Sequence, residues 1–138
     1  MTDQPARTAE TRWIVGHGGL RLAVYERGNP DSPTVVLVHG YPDDHSVWDL
    51  VADRLAVDHH VVSYDVRGSG ASDVPRHKAG YRLDSLVADL VAVADAVSPD
   101  RPVHVAAHDW GSIQSWSAMV DPQAVRRPDG SERFAGFT

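Results

Sequence analysis

Val103-His104-Val105-Ala106-Ala107-His108-Asp109-Trp110-Gly111-Ser112 is the stretch on which the fold turns. A short apolar run runs into small-x-Asp-x-small, and apolar residues then recur at helical spacing. The pattern predicts a buried strand over Pro102–Ala107, a sharp turn, and a helix over Ser112–Val120. Ala107 and Gly111 have to be small, because larger side chains would collide where a strand turns so abruptly into a helix. Such a turn strains the backbone at residue 109 and lifts its side chain clear of the sheet. The N-terminus of the next helix then points at that side chain and favours a negative charge there. An Asp at a helix start is, taken alone, more often a simple cap than a reactive group. The rest of the chain changes that weighting.

Upstream, Thr34–Val38 reads as a strand buried on both faces, and His39-Gly40-Tyr41-Pro42 follows it. A His-Gly-x-Pro turn at the carboxyl end of a sheet offers free backbone N–H groups. Those of Tyr41 and Trp110 together would make an oxyanion hole beside Asp109, with His39, Gly40, Pro42, His108 and Gly111 shaping the site. Between these segments lies Asp65-Val66-Arg67-Gly68-Ser69-Gly70-Ala71-Ser72. It is not a dinucleotide-binding loop, since Asp73 stands where a third Gly would and Pro75 follows instead of a helix.

The remaining elements complete an alternating pattern. Arg12–Val15 and Leu20–Glu26 read as strands joined by His17-Gly18-Gly19, ahead of a loop over Gly28–Pro33. Val47, Leu50, Val51 and Leu55 mark a helix, and His60–Tyr64 a strand. Leu86, Leu90, Val93 and Val97 mark a second helix with Asp84 as its N-cap. Asp121–Arg133 reads as loop, and Phe134–Thr138 begins one more strand. The fold class is therefore α/β: a mostly parallel sheet of about six strands with flanking helices and an antiparallel hairpin at its start. Residues 1–10 read as a flexible tail and 11–138 as one domain.

Composition agrees with one domain. The 138 residues are 42% hydrophobic and 23% charged, which excludes wholesale disorder. A net charge of −6 argues against a nucleic-acid surface or a basic membrane patch. Without Cys there is no thiolate nucleophile or Cys-based zinc site. With no apolar leader and no long apolar run, a cytoplasmic protein is expected, with neither cofactor nor metal.

Taken together and in this order, HGYP, DVRGSGAS and AHDWGS resemble the oxyanion turn, the DxRGxGxS loop and the nucleophile elbow of the α/β-hydrolase superfamily. The resemblance covers Leu20–Thr138. Asp at the elbow followed by Trp is similar to epoxide hydrolases and haloalkane dehalogenases, and most similar to the hydrolase half of bacterial epoxide hydrolase/short-chain dehydrogenase fusions. It implies an epoxide, or alternatively an alkyl halide, as the small-molecule substrate, and Tyr41 after His-Gly favours the epoxide.

The chemistry points the same way. No GxSxG occurs, so a serine esterase would lack its nucleophile. A carboxylate attacking an ester would give an anhydride, whereas attack on a strained sp³ carbon gives an alkyl ester that water can cleave. All eight His (17, 39, 45, 59, 60, 77, 104 and 108) precede Asp109. The resemblance implies a late His base, its acid partner and a cap domain with tyrosines, all beyond Thr138. The sequence therefore reads as truncated after the start of its sixth strand, without a cap. A complementary C-terminal polypeptide is one expectation, and a non-catalytic remnant the alternative. Among the other residues, His108 is expected to pack against the sheet and His39 to bond locally. His59 and His60 should face opposite ways. Asp43, Asp44 and His45 are expected to be solvated, Trp48 and Trp116 to be core or interface, and Trp110 to line the pocket.

Overall fold

A computed structural model describes residues 9–138, and residues 1–8, most of the expected tail, lie outside the described residues. Six strands form one sheet in the order β1-β2-β4-β3-β5-β6. They are β1 Glu10–Val15, β2 Arg21–Arg27, β3 Thr34–Val38, β4 His60–Tyr64, β5 Val103–Ala107 and β6 Phe134–Phe137. β1 and β2 are antiparallel, as is β2 with β4; the pairs β3–β4, β3–β5 and β5–β6 are parallel. Glu10 already pairs with Glu26, so the domain begins one residue inside the stretch expected to be tail.

The helices are α1 Asp49–Leu55, α2 Leu83–Val97, α3 Trp110–Met119 and the single turn α4 Pro122–Val125. The alternation of β3 divides the core into two. Val36 and Val38 join Val62, Tyr64 and Val105 beneath Val87, Leu90 and Val93 of α2 and Ala118 of α3. Val35 and Leu37 face the other way with Val61, under Ala52 of α1. β3 and β4 are buried along their whole length, which is why they read as continuous apolar runs.

The boundaries differ from expectation in places with clear causes. Asp84 does not cap α2: the helix starts at Leu83 with Arg82 at the N-cap position, and the Asp84 carboxylate turns back to Ser85 N–H. α3 begins at Trp110, two residues early, because the turn is completed by Asp109 alone. The polar stretch 121–133 is more ordered than a loop. Asp121 accepts from Gln123 N–H and opens α4, and Arg126 bridges to Glu132. Arg133 is buried, bonded through its guanidinium to both carboxylate oxygens of Asp95 and to the carbonyl of Ala124. No described helix is long and apolar enough to cross a membrane.

Candidate active site

Asp109 sits between the end of β5 and the start of α3 with φ 58° and ψ −130°. It is the one non-glycine residue at positive φ among those described. L-residues avoid that region, and holding one there costs about 1–3 kcal/mol, supplied by the surrounding fold. Its side chain makes no capping hydrogen bond, so the carboxylate is not spent on the helix. The side chain is exposed.

Two glycines make the turn possible. A Cβ on Gly111 would stand 2.5 Å from the carbonyl oxygen of His39 and closer still to that of Val38. The helix start thus lies directly on the β3 backbone, and His108 N–H donates to Val38 O at 3.1 Å. A Cβ on Gly40 would lie 2.5 Å from the Asp109 Cβ and 2.6 Å from its Oδ1. The expected approach of the 39–42 turn to Asp109 is therefore present, and glycine is required on both sides of it. Pro42 follows a cis peptide bond, and Asp43 N–H closes the turn on Gly40 O at 3.0 Å. The backbone N–H groups of Tyr41 and Trp110 donate to no protein acceptor among the described residues.

His39 holds this turn from beneath. Its buried ring takes a hydrogen bond at Nε2 from Val66 N–H, 3.0 Å away. Nδ1 must then carry the proton, which it donates to Gly40 O at 2.8 Å. The imidazole is fixed as a neutral strut between the 39–42 turn and the 65–72 loop, not as a base.

That loop is itself clamped. Arg67 makes a two-pronged pair with Asp89 of α2, at 2.6 and 2.7 Å, and also donates to the carbonyls of His17 and Gly80. Both side chains are 2% exposed. Asp65, fully buried, accepts from His45 N–H and Nδ1, from the Tyr25 hydroxyl and from Ala71 N–H. Burial, with Asp65 alongside, pushes the Tyr25 hydroxyl up to about 12. No helix opens on Gly68 or Gly70.

Several surroundings depart from expectation. His45 is half-buried: it stacks on Tyr25 with ring centroids 3.5 Å apart and bonds Asp65. Asp43 and Asp44 are half-buried, and the hydroxyl and N–H of Ser46 hold the Asp44 carboxyl below its usual range. His108 is exposed and does not pack on the sheet, because the turn throws it outward with Asp109. His59 and His60 do diverge. His60 is buried between Thr34 and Glu26, while His59 meets only Asp58. Trp48 packs with α1, and Trp116 is exposed apart from an edge-on contact with Phe137.

A cavity of about 710 Å³ opens beside the elbow. Its walls come from the 39–44 turn, the 66–70 loop, Tyr81 and Leu86 near the start of α2, and Trp110 and Gln114 of α3. Asp109 is not itself in the wall, but Gly40, which abuts its carboxylate, and Trp110, which follows it, both are. Tyr81, Leu86 and Gln114 were not legible as pocket residues. Gln114 lies one helical turn beyond Trp110, a spacing that could have identified it once α3 was started at Trp110.

Residues 33–127 match the family model described as alpha/beta hydrolase fold. The chain is 46% identical over 134 residues to a "Probable oxidoreductase EphD" of Mycobacterium tuberculosis, covering 97% of this chain and 22% of that protein. It is 40% identical over 113 residues to "Epoxide hydrolase A" of the same organism, covering 81% of this chain and 35% of that protein. The crystal structure of epoxide hydrolase VrEH1 from Vigna radiata superposes with a TM-score of 0.81 at 27% identity, over 96% of this chain and 39% of that one. The chain thus spans between about a fifth and two fifths of the length of these proteins. With Asp109 held at positive φ at the strand-to-helix turn, Gly40 leaving room for its side chain and Gly111 seating the helix start on the end of β3, on a sheet of this order, the chain belongs to the alpha/beta hydrolase fold family.

Proposed function

We propose that this chain carries the nucleophilic half of an epoxide-opening reaction, with Asp109 as the nucleophile. The observation that supports this most is an uncapped, exposed carboxylate at a positive-φ position where Gly40 leaves room for it. Two of the similar proteins bear the name epoxide hydrolase.

In the first step an Asp109 oxygen attacks one epoxide carbon. The ring C–O bond breaks, the released alkoxide takes a proton from solvent, and a hydroxyalkyl ester remains on Asp109. In the second step water adds to the ester carbonyl. The oxyanion that develops on Asp109 is met by the free N–H groups of Tyr41 and Trp110, and loss of one such donor costs about 10²–10³ in rate. Collapse returns the carboxylate and releases a vicinal diol, for a net addition of one water. That step needs a base to take the proton of water. No His follows His108 in this sequence, and His39 is locked. The 138-residue chain is therefore expected to form the ester and stall, with the base supplied by another polypeptide segment.

The name oxidoreductase belongs to a protein of which the match covers 22%, and the 65–72 loop lacks the helix that a dinucleotide site needs. Oxidoreductase chemistry is accordingly not assigned to these residues.

The test compares two electrophiles of similar size by intact-mass measurement. With styrene oxide the chain should gain the mass of one whole epoxide. A benzylic bromide offered at equal concentration should modify Asp109 more slowly. Absence of an epoxide adduct, or faster modification by the bromide, would overturn the assignment.

A further inference from the structure

Gln114 is a buried residue of the cavity wall, one end of whose amide neither the fold nor the proposed chemistry uses. It lies on α3 one turn after Trp110 and is 3% exposed. Its Nε2 donates to the hydroxyl of Tyr64 at 3.1 Å. Tyr64 is fully buried at the end of β4, and that burial pushes its hydroxyl far up, so it stays a neutral anchor. The opposite end of the amide, Oε1, accepts from no protein group among the described residues, and it is not among the sealed unsatisfied atoms. An amide end left unpaired in an apolar wall is costly, and the same place on a helix would ordinarily take Leu. Leu86, Tyr81 and Trp110 give the same wall its apolar part, while the polar atoms of Asp44, Arg67 and Ser69, which also line the cavity, are bonded to Ser46, Asp89 and Val66 O.

We infer that Gln114 is a specificity-determining residue, which hydrogen-bonds a hydroxyl on the apolar arm of the substrate while Tyr64 holds its amide in place. A hydroxyl is the group that fits. It both donates and accepts, so it satisfies the amide whichever of its two ends faces the cavity. The substrate class is thus an apolar epoxide bearing a second oxygen away from the ring. The inference rests on the proposed function only in taking the cavity as the place where the substrate lies.

Binding to the cavity can be tested without any reaction, using cyclohexylmethanol and methylcyclohexane, which differ by one hydroxyl. Ligand-detected NMR titration of the 138-residue chain gives the affinity ratio of the two. A site that binds by apolar contact alone would favour the alcohol no more in the native chain than in Gln114→Leu. The native ratio is expected to exceed that of Gln114→Leu by about three- to tenfold, the range of one neutral hydrogen bond, with methylcyclohexane affinity little changed. Should Gln114→Leu not fold, Tyr64→Phe serves, since it frees the amide without touching the cavity wall and should lower the ratio in the same direction. An unchanged ratio, or failure of both ligands to bind, overturns the inference. Failure of the two proposals is distinguishable: an Asp109 adduct with an unchanged ratio removes the role of Gln114 alone, and a shifted ratio without an adduct removes the epoxide chemistry alone.

Discussion

At Asp109 a single residue carries two opposed demands. Its carboxylate has to stand clear of the sheet, and its backbone takes up a conformation that only glycine tolerates freely. Asp109→Gly should therefore stabilise the chain by about 1 kcal/mol in urea unfolding, while abolishing modification by styrene oxide. Gly111→Ala should act in the reverse sense. Its methyl would meet two carbonyl oxygens of the β3 end, at a cost of about 1–3 kcal/mol and with loss of the adduct. The small-x-Asp-x-small spacing made this turn legible, because steric exclusion is written into residue size. What it did not convey was His108, which the same turn throws outward with Asp109, or Gln114, whose role depends on Tyr64, a residue fifty positions away.

Among the elements, the parallel strands and their order of helices were readable from apolar runs and 3.6-residue spacing. The polar ties between them were not, since ion pairs between distant segments leave no periodic trace. The Arg67–Asp89 pair fastens the 65–72 loop to α2 and, through His17 O, to the β1–β2 turn. Asp89→Asn leaves a buried guanidinium without its counter-charge and should cost about 3–5 kcal/mol, read as a lower urea midpoint. A second tie contributes to the acid stability of the sheet. The hydrogen bond from His60 holds the Glu26 carboxyl below its ordinary 4.5, aided by the charges of His60 and Arg12 against the opposing effect of burial. A depressed folded-state value contributes stability above the unfolded value, and that stability is lost as pH falls through the folded one. The urea midpoint of the native chain should therefore drop more steeply below about pH 4.5 than that of Glu26→Gln.

For the molecule as a whole, the notable feature is how much apolar surface surrounds an unpaired sheet edge. Among the described residues β6 pairs only with β5, and Ile113 and Trp116 of the adjoining α3, with Val120 just after it, are exposed. An open edge without Pro or charge invites pairing with another chain. The 138-residue chain should self-associate as its concentration rises in size-exclusion chromatography, and Ala135→Lys, placing a charge on the exposed edge, should reduce that. A monomer at all concentrations with a sharp melt at high temperature would contradict this. The sequence showed that a sixth strand begins at Phe134, but the exposure of α3 depends on what packs against it, which no local pattern records.

Whether Asp109 attacks the substrate is decided by where the adduct sits. After one incubation with styrene oxide, proteolysis and tandem mass spectrometry should find a single hydroxyalkyl ester, on Asp109, absent from Asp109→Asn. An adduct on His108 or another side chain, or one that forms equally in Asp109→Asn, would mean that Asp109 is not the nucleophile.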